Sequence, residues 1–302
     1  MIEIIKNTNI DFMGMRKICF AISGSLALLG LFALIQVGTG RANLGIDFAG
    51  GTSVQVKFSS AVSLDEVRSA LEDAGLVEFD LQDLPTINKV LVRVKKKQEF
   101  LGEDSELIIN TMNQKFADRN PVIDSTTEIG PKVGKRLRKD AMKAIAFSII
   151  GILLYVSFRF QFRFAIGATA ATFHDVLAVL GFFYLSGKEI NLVLISALLM
   201  IAGYSLTDTV VVFDRIRENL RSRYREHIHK VVNDSINEVL SRTIVVSFTT
   251  LLAALALFFF GGEVIHDFAL AIILGVLVGT YSSIFVASPI VLLWGGKPVK
   301  RR

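Results

Sequence analysis

Asp208 stands in the run Gly203-Tyr204-Ser205-Leu206-Thr207-Asp208-Thr209, at one end of an otherwise apolar stretch. An ionised aspartate at the centre of a bilayer costs about 2.5–3.5 kcal/mol on insertion scales, so an acid kept there points to proton or ion handling. Tyr204, Asp208, Val211 and Arg215 recur at helical spacing and share one face. A second acid, Asp175, follows His174 about eleven residues into another apolar stretch, near mid-depth for a helix rising about 1.5 Å per residue. A buried His-Asp pair either relays a proton or ties helices together by hydrogen bonds, and Asp208 has the same two readings. Arg242, in Ser241-Arg242-Thr243, opens a later apolar stretch at the membrane boundary where the Asp208 stretch ends; an ordinary cationic anchor is its plainer reading. If protons move here, Thr207, Thr209, His174 and Asp175 are the groups available to line the path.

The elements that must position these residues are membrane helices. Of the 302 residues, 52% are hydrophobic and 20% charged, against roughly 45–50% and about 25% in an average soluble domain. That excludes a disordered chain, and the single cysteine, Cys19 in an apolar run, excludes a disulfide framework. A crossing needs about 20 apolar residues of helix. Six stretches meet that need: Ile18–Val37, Met142–Phe158, Phe164–Leu185, Ile190–Phe213, Thr243–Phe260 and Phe268–Trp294. The first lacks a small-x-small cleavage site before Gly38 and reads as an uncleaved anchor. With the amino terminus inside, the short inner connections carry 16 Lys and Arg against 8 outside, the bias that sets orientation. Six of those eight crowd Lys132–Lys143, but a preceding domain of about 100 residues crosses largely regardless of charge.

The expected organisation is therefore a cytoplasmic segment, 1–17; a first transmembrane helix, 18–37; an extracytoplasmic domain, 38–140; and a five-helix transmembrane region, 141–294. A cytoplasmic amphipathic loop, 214–242, interrupts that region, and a basic cytoplasmic tail, 295–302, follows it. Charge divides along the same lines, with net −5 over residues 41–131 and +10 over the remainder. Within the outer domain, Thr52–Ser59 alternates as a strand, and Ser63–Ala74 reads as a helix opened by a Ser63/Glu66 capping box and closed at Gly75. Glu78–Leu84 and Lys89–Lys95 are strands about a Pro85-Thr86-Ile87-Asn88 turn, Asp104–Phe116 is a helix and Pro121–Glu128 a last strand. The order β-α-β-β-α-β is the split pattern of a ferredoxin-like sandwich. This domain has no His and no Cys, and Gly50-Gly51 lacks the spacing of a phosphate loop and leads into a strand, so it reads as a turn. No cofactor, metal site or enzymatic reaction is expected.

Asp214–Leu240 alternates Arg with Ile216, Leu220, Val231, Val232 and Ile236, as amphipathic helices on the inner membrane surface would, held by anionic lipid. Nucleic acid is not an expected partner, because no separate basic domain exists. Gly275-x-x-x-Gly279 suggests close helix packing.

Several motifs now stand in order: Ile10-Asp11-Phe12-Met13-Gly14, Gly45-Ile46-Asp47-Phe48-Ala49-Gly50-Gly51-Thr52, Gly130-Pro131-x-Val133-Gly134, Phe173-His174-Asp175-Val176, Gly203-Tyr204-Ser205-Leu206-x-Asp208, Phe213-Asp214-Arg215-Ile216-Arg217-Glu218-Asn219, Arg242-Thr243, and Gly279-Thr280-Tyr281-Ser282-Ser283-Ile284-Phe285-Val286-Ala287. Together, across almost the whole chain, they resemble the SecF branch of the SecD/SecF protein-export family; Lys95-Lys96-Lys97 departs from the common pattern. The resemblance implies an α-helical polytopic membrane protein of the bacterial inner membrane, with six transmembrane helices forming an RND-type half-transporter and an α+β ferredoxin-like extracytoplasmic domain. It implies SecD and the SecYEG channel as partners, with YajC as a further companion. It also implies that the proton-motive force drives late translocation of an unfolded polypeptide, with Asp208 and Arg242 as the functional pair. The rival reading is half of an RND exporter moving a lipid or small molecule. Such exporters usually carry two six-span halves in one chain, and this chain has one. Cysteine scanning of residues 38–140 in a Cys19-free background is expected to give labelling from outside intact cells, and labelling from the cytoplasmic side alone would reverse the topology.

Overall fold

The computed structural model describes residues 8–84, 88–95 and 103–293. The Pro85-Thr86-Ile87 part of the expected turn, Lys96-Lys97 and the basic tail, 295–302, lie outside these residues. In chain order the elements are α1 (Arg16–Thr39), α2 (Ile46–Ala49), β1 (Gly51–Lys57), α3 (Leu64–Asp73), β2 (Phe79–Leu84), β3 (Lys89–Lys95), α4 (Glu103–Lys115) and β4 (Val122–Ile129). There follow α5 (Pro131–Arg159), α6 (Phe162–Leu185), α7 (Leu192–Ser222), α8 (Ile228–Phe260), α9 (Glu263–Ser282), a π turn (Ser283–Ala287) and α10 (Ser288–Leu293). The chain divides into two compact units, Val37–Met142 with Glu189–Leu192, and Met1–Gln36 with Lys143–Lys188 and Val193–Arg302.

In the first unit the strands form one antiparallel sheet of order β2-β3-β1-β4, with Val54 opposite Val92 in the centre. This is the ferredoxin-like arrangement expected of the β-α-β-β-α-β order. Its cause is alternation: Val54 and Val56 of β1 and Val90, Val92 and Val94 of β3 point to one face and close on Val67 and Leu71 of α3 and Ile108 and Met112 of α4. Ser63 caps α3, its Oγ accepting the Asp65 N–H at 3.3 Å. Glu66 does not complete a capping box but pairs with Arg119 at 2.8 Å. The Gly50-Gly51 turn is glycine for a steric reason: Gly51 has φ 148°, and a Cβ there would strike the Val94 carbonyl oxygen. A Cβ on Gly134, in the first turn of α5, would lie 2.9 Å from the Gly50 nitrogen. The two glycine motifs of the sequence thus interlock.

Glu189–Leu192, the last part of the connection between α6 and α7 with the first residue of α7, belong to this sheet-bearing unit. The Ile190 N–H donates to the Asn43 carbonyl at 2.9 Å, and the Gly45 N–H donates to the Ile190 carbonyl at 3.0 Å. The Leu192 N–H, first in α7, donates to Asp47 Oδ2 at 3.0 Å, so a carboxylate from α2 caps a helix far along the chain. Arg93 of β3 reaches Glu189 at 3.0 Å. The sequence marks Ile190 only as the start of an apolar stretch. It pairs with Leu44 instead, and α7 begins two residues later.

The other unit is helical. Six helices are long and apolar enough to cross a membrane, and they contain the six expected stretches apart from the first residues of the fourth and the last of the sixth. In the most apolar window of α6, 72% of residues are buried, against 17% in α1 and 11% in α8, so α6 is the inner helix and α1 and α8 present apolar faces outward. The expected loop, 214–242, needs correction. It is helical as read, but Asp214–Ser222 continues α7 without a break and Ile228 onward is already α8, leaving a connection of five residues. No Gly or Pro stands between Asp214 and Phe260 to end either helix. The two extensions are then laced by ion pairs, Arg215 with Glu238 and Arg223 with Asp234 and Glu238, while Glu218 holds Arg215 from its own helix.

Burial pushes the Glu189 carboxyl up from its usual range, against the opposing pull of Arg93 and Lys95. A raised carboxylate pKa means that the folded state holds its proton longer than the unfolded one, so this site's contribution to stability falls as pH rises through that window. Glu189→Gln is therefore expected to gain thermal stability relative to the native chain as pH rises through and above the ordinary carboxylate range. A melting-temperature difference that stays flat with pH would contradict this.

Candidate functional site

Asp175 and Asp208 lie in the helical unit, and both are buried. Close packing of α9 on α7 brings their partners near: a Cβ on Gly275 would collide with Ile201, and one on Gly279 would come within 3.2 Å of Ser205 Cβ. Ser205 can thus sit against α9. The π turn after α9 winds more widely than an α-helix. At this junction consecutive serines both find inner partners, Ser282 at Asp175 and Ser283 at Thr209 Oγ1, 2.8 Å away.

Asp175 is fully buried and has three contacts of its own. His174 Nδ1 lies 3.0 Å from Oδ1, while Ser205 Oγ at 2.5 Å and Ser282 Oγ at 2.7 Å donate to Oδ2. One carboxylate therefore joins α6, α7 and the end of α9. His174 is also buried, and its Nε2 has no hydrogen-bond partner among the described residues.

Asp208 is served differently. Ser247 Oγ of α8 donates to Oδ2 at 3.3 Å, yet the same hydroxyl lies 2.7 Å from Thr280 Oγ1, and Thr280 donates to the Val276 carbonyl at 2.8 Å. A hydroxyl carries one hydrogen. Ser247 and Thr280 thus bring two hydrogens to three contacts, and the long Ser247–Asp208 contact competes with Thr280 for the Ser247 hydrogen.

The other expected residues divide. Thr209 is buried, with its Oγ1 also 3.1 Å from the Ser205 carbonyl, whereas Thr207 is exposed and its hydroxyl turns back to the Tyr204 carbonyl. Arg242 is exposed on α8, five residues before Ser247. Among the described residues no ion pair joins it to Asp208. Arg215, on the same face as Asp208 by spacing, is held by Glu238 and Glu218. No three His, Cys, Asp or Glu side chains converge to hold a metal ion among the described residues.

This site and fold can be compared with known proteins. The family profile "Protein export membrane protein SecD/SecF, C-terminal" matches residues 108–297, and "SecD/SecF GG Motif" matches residues 39–62. The chain belongs to the SecD/SecF family. It is 57% identical to the protein translocase subunit SecF of Thermodesulfovibrio yellowstonii, covering 100% of both chains. It is 42% identical to that of Calditerrivibrio nitroreducens, over 97% of this chain and 96% of the relative. The crystal structure of SecDF, a translocon-associated membrane protein from Thermus thermophilus, superposes with a TM-score of 0.82 at 36% identity. That match covers 96% of this chain and 39% of the SecDF chain, so this SecF-like chain spans well under half of that protein.

Sequence reasoning found the acids but not their partners. Ser205, Ser247 and Thr280 are ordinary residues of apolar stretches, and the usable signal is that Ser205/Thr209 and Thr243/Ser247 each recur four apart on a buried face. Removing the Asp175 carboxylate leaves the buried Ser205 hydroxyl without its acceptor and Ser282 with the Gly279 carbonyl alone, a loss of about 1–3 kcal/mol. Asp175→Ala is thus expected to lower the melting temperature of the detergent-purified chain well beyond any change in Asp208→Asn, and equal stability of the two variants would contradict the division between them.

Proposed function

We propose that this chain works as the SecF-type subunit of the Sec protein-export machinery, in the bacterial inner membrane with both termini cytoplasmic, and that proton binding at Asp208 couples the proton-motive force to late polypeptide translocation. Family membership over the whole chain supports the export role, and the hydrogen count at Asp208 carries the coupling. SecD supplies the second set of helices: α1 and α8 present long apolar faces, and a pseudo-symmetric partner would shield them and enclose the Asp208 cluster from lipid. SecYEG is the channel served, with YajC as a companion and the emerging unfolded chain as cargo.

In the mechanism, Asp208 with its proton closes the Ser247–Thr280 chain. Arg242 lies on the helix that supplies Ser247, about 7.5 Å along its axis at 1.5 Å per residue. A shift of α8 that exchanges Ser247 for the Arg242 guanidinium stabilises the carboxylate and expels the proton. The driving force is about 2.3 kcal/mol per charge per 100 mV, plus about 1.36 kcal/mol per unit of pH difference. That suffices to bias two conformations a few kcal/mol apart. Thr209 and the His174-Asp175 pair line the buried side of the path, with Asp175 as its fixed anchor.

Asp208→Asn keeps the side chain's size and removes the exchangeable carboxyl proton. In inverted vesicles it is expected to retain SecD association and ATP-driven early export while losing the proton-dependent late stage. Full late-stage export by this variant would remove Asp208 from the mechanism.

A further inference from the structure

Away from the buried acids, two clefts of about 280 Å³ and 360 Å³ share the same three basic side chains, Arg16, Lys17 and His229. The smaller is completed by Asp11, Met13 and Gly14. The larger continues over an apolar floor that includes Phe20, Pro289 and Leu292. Arg16 is the first residue of α1, His229 the second of α8, and Leu292 the next to last of α10. Three span ends therefore meet at one level, cationic at the rim and apolar one turn further in. That is the order of layers at a membrane boundary.

The rim is prepared for an anion. The N-terminal segment that carries it is fixed on α8: the Ile10 N–H donates to Asn237 Oδ1 at 2.9 Å, its carbonyl accepts from Asn233 and Asn237 Nδ2 at 3.0 Å each, and the Met13 N–H donates to Asn233 Oδ1 at 3.2 Å. Arg16 donates to His229 Nδ1 at 2.8 Å. A guanidinium can only donate, so Nδ1 is the acceptor and His229 presents an Nε2–H. Asp11, the one acid in the lining, already accepts the Gly14 N–H at 2.8 Å. Arg16 and Lys17 against Asp11 leave one net positive charge.

We propose that this cleft is a binding site for an anionic phospholipid. The phosphodiester sits between Arg16, Lys17 and the His229 Nε2–H, and an acyl chain runs down Phe20, Pro289 and Leu292. One positive charge matches one phosphodiester. A lipid such as phosphatidylglycerol satisfies the rim, whereas the ammonium of phosphatidylethanolamine would be repelled by it.

The test is native mass spectrometry of the full chain from nanodiscs of phosphatidylethanolamine containing a small fraction of phosphatidylglycerol. The wild-type chain is expected to retain phosphatidylglycerol about five-fold over its share of the bilayer, the preference that one net cation at a membrane surface gives. Arg16→Gln with Lys17→Gln should lose that enrichment, while Arg221→Gln with Arg225→Gln, an equal charge change elsewhere, should keep it. Because the first pair opens α1, His229→Phe serves as a second variant that spares the helix and is expected to lose most of the enrichment. Retention by both cleft variants, or equal loss in the Arg221/Arg225 control, would overturn the site. Displacement of the lipid by millimolar inorganic phosphate would assign the rim to free anion and overturn it as well.

Discussion

The packing of the helical unit turns on the fully buried carboxylate of Asp175. In an apolar surround such a group must be answered by donors brought from several directions at once. His174 from the same helix, Ser205 from α7 and Ser282 at the end of α9 answer it. Each donor constrains its own backbone. Ser205 needs the bare surface of Gly279, and Ser282 sits where α9 passes into the π turn. The small-residue stripe of α9, the π turn and the position of α6 at the centre are different aspects of one requirement.

Asp208 has a sparser arrangement. Its neighbour Ser247 is also engaged by Thr280, which in turn is engaged by the Val276 carbonyl. The difference lies in how many side chains reach each carboxyl: His174, Ser205 and Ser282 reach Asp175, whereas Ser247 reaches Asp208.

How much of this is legible in the sequence depends on the range of the interaction. The β-α-β-β-α-β order is legible because Val54, Val56, Val90, Val92 and Val94 obey a local period of two. The six spans are legible from length and apolarity. The 214–242 segment is only half legible: Arg and apolar residues give helices, but that they prolong α7 and α8 depends on cross-helix pairs such as Arg223 with Asp234, which no periodicity announces. Residues Glu189–Leu192, at the start of α7, are the extreme case, since their partners Asn43, Gly45, Asp47 and Arg93 lie about 100 or more residues away. Ser247 and Thr280 were hidden for another reason. A hydroxyl in an apolar helix bonds as readily to its own preceding turn, so its type alone does not name a partner.

The Asp47 cap on Leu192 gives α7 a mechanical character. Leu192, the first residue of that helix, belongs to the sheet-bearing unit, and the helix carries Asp208 sixteen residues further on. Sixteen residues of helix make a rod of about 24 Å. A single aspartate of the GG motif therefore fixes the residue at which the Asp208-bearing helix begins.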